Sequence, residues 1–130
     1  SILSLLSRRV YSIERIKPLL VNAQSCFKKL KLTNIISEFG DGFLGWPKLA
    51  PFDHMIITCA VKKIDDRLLN QIRVNGSCVV PIGKTKNQQR LIKITIGNDR
   101  HDDVWEDLGK VSFVPLISEK DWITFNFWEY

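Results

Sequence analysis

Glu38-Phe39-Gly40-Asp41-Gly42-Phe43-Leu44-Gly45-Trp46-Pro47 leaves an apolar run, turns through glycines at 40, 42 and 45, and arrives at a tryptophan. The stretch reads as the end of a ligand-binding strand. Glycine at 40 and 42 permits positive φ and close approach of the backbone to a flat molecule, while Asp41 between them places a carboxylate at the turn. An ordinary glycine-rich strand exit has the same composition, so the neighbouring segments have to decide.

Upstream, Val10-Tyr11-Ser12-Ile13-Glu14 is rich in β-formers and ends on a carboxylate just before a helical pattern. From Ile16 the apolar residues Ile16, Leu19, Leu20, Ala23, Phe27 and Leu30 share one helical face, with Pro18 in the first turn and lysines outside. That gives a strand–helix unit. Ile2 to Leu6 reads as the last turns of a preceding helix, closed by Arg8 and Arg9, and Asn34 to Phe39 reads as the next strand. Further on, His54 to Cys59 is expected as a buried strand, Leu68 to Ile72 as a short helix, and Cys78 to Ile82 as a strand opened by Asn75-Gly76. Strands alternating with helices imply an α/β fold with a mostly parallel sheet and helices on both faces. After Gly83 the pattern changes: Ile92, Ile94 and Ile96 alternate with Lys93 and Thr95, as in a half-exposed strand of an antiparallel C-terminal edge. Val111 to Leu116 is expected as a last strand, and Ile123, Phe125 and Phe127 alternate in a manner that suits an extra strand or a tail over 117–130.

With 130 residues, 45% hydrophobic and 25% charged, the chain suits one domain spanning 1–130 around one core. No apolar run reaches the roughly 18 residues of a membrane span, so no membrane partner is expected. The start Ser1-Ile2-Leu3 has no basic leader or initiator methionine and reads as a cut end. Cys26, Cys59 and Cys78 are odd in number and lie among apolar residues, which implies buried free thiols, a reducing compartment and a cytoplasmic location. The net charge of +5 is scattered along the chain without interleaved aromatics, so no nucleic-acid partner is expected. His54 and Cys59 alternate to opposite faces of a strand, and His101-Asp102-Asp103 reads as a polar turn; no metal site follows.

Gly40-Asp41-Gly42 with Leu44-Gly45-Trp46-Pro47, then Ala50-Pro51-Phe52-Asp53, Thr58-Cys59-Ala60, Val79-Val80-Pro81-Ile82-Gly83 and Phe113-Val114-Pro115-Leu116 stand in a telling order. In this order and spacing the chain resembles the protein-L-isoaspartate O-methyltransferases, from Ser1 to about Leu116. The resemblance implies a Rossmann-like methyltransferase fold, here its C-terminal portion without the glycine-rich first motif. It also implies transfer of a methyl group from S-adenosylmethionine to the free carboxylate of isoaspartyl residues in damaged proteins, a repair reaction. By the same resemblance Glu14 grips the ribose hydroxyls, Asp41 and the Gly42 amide read the adenine edge, and Thr58 lies near the methyl donor. Val114 and Pro115 fall on the substrate side. The catalytic residues are unknown, because the upstream region is absent, and none need be a general base: a carboxylate with a pKa of about 4 is ionised at neutral pH.

The family has prolines where this chain has Val61-Lys62-Lys63-Ile64-Asp65, so this loop is expected to be less rigid. Without the glycine-rich first motif the isolated chain is expected to be inactive, and without the first strand the strands ending at Glu14 and Thr58 are expected to have open edges that invite self-association. The alternative is a non-catalytic remnant or binding module of the same fold.

Overall fold

The computed structural model describes residues 2–116, and the expected extra strand or tail at 117–130 lies outside them. The chain divides into two compact units, Ser1–Gly42 and Phe43–Tyr130.

The first unit contains α1 (Ile2–Leu6), β1 (Val10–Glu14), α2 (Lys17–Lys29) and β2 (Ile35–Phe39). β1 and β2 pair in parallel without a register shift, from Val10 opposite Ile35 to Glu14 opposite Phe39. The helix between them begins where expected, because Pro18 fits a first turn whose amides have no helical acceptor, and Lys28 and Lys29 suit the negative pole of its last turn. Its apolar face is only partly covered: Leu20 is buried, whereas Leu19 and Leu30 are exposed. Asn34 ties the unit together, its Nδ2 donating to the carbonyls of Ser4 at 2.7 Å and Ser7 at 3.1 Å, which otherwise end α1 unsatisfied.

The second unit contains β3 (Phe52–Ile56), α3 (Asp66–Leu69), β4 (Ile72–Ile82), β5 (Gln89–Thr95) and β6 (Val104–Val111), in the sheet order β3-β4-β5-β6. β3 and β4 are parallel, while β4, β5 and β6 are antiparallel neighbours. One face carries Cys78, Val80, Ile94 and Ile96, and Ile64, Leu68 and Leu69 pack with them into a single buried cluster. The short helix lies earlier than its expected place at Leu68 to Ile72, because the Asp65 side chain accepts from the Arg67 amide and so fixes the N-terminus of α3.

Three other expectations are corrected. The strand expected at His54–Cys59 runs from Phe52 to Ile56 instead, and it is not buried, since His54 and Ile56 are exposed on the face opposite the core. β4 does not open at Asn75-Gly76 but passes through it: Asn75 has φ +62, and the partners shift from Phe52–Ile72 to His54–Ser77, so the extra residues are absorbed as a bulge. Among the described residues the last regular strand is Val104–Val111 rather than Val111–Leu116, so β5 has a strand on each side. Its acidic residues hid it in the sequence, yet they pair across the sheet, Glu106 with Lys93 and Asp107 with Arg90, each at 2.7 to 2.8 Å. The Arg90 guanidinium, with the Gly109 amide, holds the Asp107 carboxyl below its ordinary range. In the loop Val61-Lys62-Lys63-Ile64-Asp65, Val61 pairs with Ile82, Ile64 is buried and Asp65 caps α3, while Lys62 and Lys63 are exposed.

The thiols also separate. Cys26 is exposed, against expectation, Cys59 is half-buried, and Cys78 is fully buried, which pushes its thiol up to about 12. No helix among the described residues is long and apolar enough to cross a membrane.

Two outcomes follow for the folded chain. Iodoacetamide should modify Cys26 in native buffer and Cys78 only after denaturant is added, as read by peptide mass spectrometry. Leu68→Ala, which empties a position only 2% exposed, should lower the unfolding free energy by about 2 to 5 kcal/mol in a urea titration.

Candidate cofactor and substrate site

In the first unit, the Gly40 amide donates to the Glu14 carbonyl at 3.2 Å, so the carboxyl ends of β1 and β2 lie side by side. Glu14 and Asp41 therefore leave neighbouring strand ends, the position at which open α/β sheets bind ligands. The Glu14 carboxylate already has one task, since its Oε1 accepts from the Ile16 amide at 2.9 Å and so steadies the entry to α2. A carboxylate offers about four acceptor sites, so this bond leaves capacity for two hydroxyl donors. Asp41 is half-buried at the start of the turn Gly42–Leu44. A Cβ at Gly42 would meet nothing within 4 Å, and one at Gly40 would lie 3.4 Å from Ile13 Cγ2, so open space adjoins the Gly42 backbone.

Of the glycines at 40, 42 and 45, the one with positive φ is neither of these. It is Gly45, with φ +63, in the second unit. A side chain there would clash with the Gln71 Oε1, because Gln71 fills the turn: its Oε1 accepts from the Trp46 amide at 2.7 Å, and its Nε2 donates to the Leu44 carbonyl at 2.9 Å. Gln71 is only 6% exposed and also donates to the Arg67 carbonyl at the end of α3.

Thr58 lies two residues beyond Ile56, where β3 ends, and is exposed. The chain stays ordered beyond it by pairing: the Ala60 amide donates to the Val114 carbonyl at 2.7 Å, and the Leu116 amide donates to the Ala60 carbonyl at 2.8 Å. Val114 and Pro115 are thus not in a regular strand but in an extended segment beside Ala60, both exposed. The structure brings the Thr58-Cys59-Ala60 and Val114-Pro115 segments together within the second unit. Gln89, 5% exposed, holds the same segment one residue earlier, with its side-chain amide bonded to the Phe113 backbone. Sequence reasoning passed over both glutamines, because a lone Gln has the composition of a surface residue. Among the described residues no group of three or more His, Cys, Asp or Glu side chains could hold a metal ion.

The model of the family described as Protein-L-isoaspartate(D-aspartate) O-methyltransferase (PCMT) matches residues 3–121. The chain belongs to this family. A Protein-L-isoaspartate O-methyltransferase 1 of Nitrosococcus oceani is 40% identical over 119 residues, covering 92% of this chain and 55% of that protein. The Protein-L-isoaspartate O-methyltransferase of Paramagnetospirillum magneticum is 42% identical over 118 residues, covering 90% of this chain and 54% of that protein. The chain spans about half the length of these curated relatives. Two solved structures share the fold. One named protein-L-isoaspartate O-methyltransferase superposes with a TM-score of 0.76 at 22% identity, over 85% of this chain and 34% of the other. The second, from Plasmodium falciparum and in complex with S-adenosyl-L-homocysteine, gives 0.71 at 23% identity, over 84% of this chain and 52% of the other. The described strands and helices are accordingly part of the Rossmann-like α/β fold of the PCMT family, with an antiparallel C-terminal edge.

Within this PCMT chain the tightest steric demand is at Gly45. Gly45→Ala should cost about 1 to 3 kcal/mol in urea unfolding, through its positive φ and the displaced Gln71 amide, and Gln71→Ala combined with it should cost less than the two single changes added together.

Proposed function

We propose that residues 1–130 are the C-terminal part of one methyltransferase domain, and that the whole protein transfers a methyl group from S-adenosylmethionine to the free carboxylate of isoaspartyl residues in damaged proteins. The single observation that carries this reading is the pair of carboxylates leaving adjacent strand ends, joined by the Gly40 to Glu14 hydrogen bond, in a chain of the PCMT family. Glu14 would accept from the ribose hydroxyls with the capacity that the Ile16 amide leaves, and Asp41 with the Gly42 amide would meet the adenine edge, beside which the backbone is open. Thr58 would lie on the methyl-donor side, and Val114 and Pro115 would contact the isoaspartyl substrate. When bound, S-adenosylmethionine would supply an electrophilic methyl group to a substrate carboxylate that is ionised at neutral pH, its pKa being about 4. The chain's own contribution is then to hold and align, and a general base has no proton to remove. A cytoplasmic, reducing location fits three free thiols, one of them exposed.

One observation favours a second reading, a binding module without turnover: the Glu14 carboxylate bonds the Ile16 amide and so has a purely structural task as well. The two readings separate on transfer of labelled methyl groups to an isoaspartyl peptide, with the aspartyl peptide as control. Transfer to the isoaspartyl peptide alone is expected from the full-length protein, and none to either peptide would leave the binding module. Glu14→Ala should weaken S-adenosylhomocysteine binding by about 10- to 100-fold in calorimetry, the value of hydrogen bonds to a charged acceptor; unchanged affinity would remove Glu14 from the site.

A further inference from the structure

The segment proposed to meet substrate is not held by the sheet alone. β5 begins at Gln89, whose backbone pairs with Val111, the last residue of β6. Beyond Val111 the chain leaves the ladder, but the Gln89 side chain carries the pairing further: its Oε1 accepts from the Phe113 amide at 2.6 Å, and its Nε2 donates to the Phe113 carbonyl at 3.0 Å. Ala60 takes the next step, bonding the Val114 carbonyl and the Leu116 amide. The backbone of residues 113–116 is thereby fixed from both ends, while the side chain of Val114 faces solvent with 72% exposure. A rigid backbone under exposed side chains is what a binding surface needs.

We propose that Gln89 is a positioning residue for substrate: its side-chain amide, standing in for a strand partner, sets the backbone on which Val114 and Pro115 are presented to an isoaspartyl peptide. The inference rests on the substrate role proposed above for that segment. The residue type is specific to the task. A glutamine amide carries one acceptor and a donor group on a single plane, matching the N–H and C=O of one backbone residue, whereas glutamate at neutral pH offers acceptors only and methionine offers neither at similar size. Burial at 5% exposure excludes water as a replacement partner and leaves the Phe113 groups unsatisfied when the amide is lost.

The test compares Gln89→Met and Gln89→Glu with the unaltered full-length protein. Amide hydrogen exchange at Phe113 and Leu116 reports the clamp, and the KM for an isoaspartyl peptide, kcat and the affinity for S-adenosylhomocysteine report function. Gln89→Met should speed exchange at both amides and raise the peptide KM about tenfold, with kcat and S-adenosylhomocysteine affinity within about twofold. Gln89→Glu, which keeps the acceptor for Phe113, should fall between, and it carries the same comparison if Gln89→Met does not fold. Accelerated exchange at Phe113 with an unchanged peptide KM would overturn the proposal, as would parallel losses in peptide KM, kcat and S-adenosylhomocysteine affinity, which mark a merely structural role. Absence of methyl transfer by the unaltered protein would instead overturn the methyltransferase reading; isoaspartyl-peptide affinity, read by titration without turnover, then decides, and equal affinity in the two proteins would overturn the role of Gln89.

Discussion

Backbone groups that leave a sheet without entering water must find another partner, and this demand shapes the second unit more than any side-chain contact. Two buried glutamines meet it. Gln71 bonds the Leu44 carbonyl and the Trp46 amide in the turn before β3, and Gln89 bonds both backbone groups of Phe113 in the segment after β6. Each replaces a strand where no strand can run. The turn at Gly45 and the extended run at Val114 and Pro115 are therefore held by hydrogen bonds although neither belongs to a strand. The hydrophobic cluster of α3, β4 and β5 supplies the base on which both glutamines stand, since Leu68, Leu69 and Ile72 flank Gln71 in sequence and are all buried.

Much of the architecture could be read directly from residue order. β1, α2 and β2 declare themselves, because a β-rich run, a helical face and a second β-rich run follow one another with a proline at the right turn. The strands around Cys78–Ile82 and Ile92–Ile96 are equally plain from their β-branched residues and alternation. Boundaries fared worse wherever a side chain overrode the pattern. Asp65 draws α3 toward itself by capping it, and the bulge at Asn75 lets β4 start six residues before Cys78, at Ile72. β6 was illegible because Trp105-Glu106-Asp107-Leu108 looks like a solvated segment until Lys93 and Arg90 are found opposite its carboxylates.

The candidate site divides in the same way. Glu14 and Asp41 could be placed at strand ends from sequence, and the parallel register of β1 and β2 puts those ends side by side. Glycine at 40 and 42 permits positive φ, but of the three glycines in this stretch it is Gly45, four residues beyond Asp41 by number, that takes it. What distinguishes Gly45 is the Gln71 amide lying where its Cβ would be, a long-range neighbour that no local pattern reveals. Thr58 and the Val114-Pro115 pair lie just beyond regular strands, where hydrogen bonding to Ala60 rather than strand propensity sets the backbone.

The bulge in β4 has a consequence for chemical ageing. Asn-Gly is the dipeptide whose side-chain amide most readily closes on the following backbone nitrogen, and the cyclic imide so formed reopens largely to an isoaspartyl linkage. Asn75-Gly76 is such a dipeptide, in a chain whose proposed substrate is that same linkage. Closure needs freedom to rotate about the Asn–Gly junction, and here the backbone on both sides is hydrogen-bonded: Asn75 donates its amide to the Ile96 carbonyl at 2.8 Å, and Gly76 accepts from the Ile96 amide at 2.9 Å, while the carbonyls of Asp53 and Arg73 lie where a Cβ on Gly76 would be. The pairing with Ile96 that lets β4 carry an irregular step thus also holds the backbone on either side of this Asn-Gly junction.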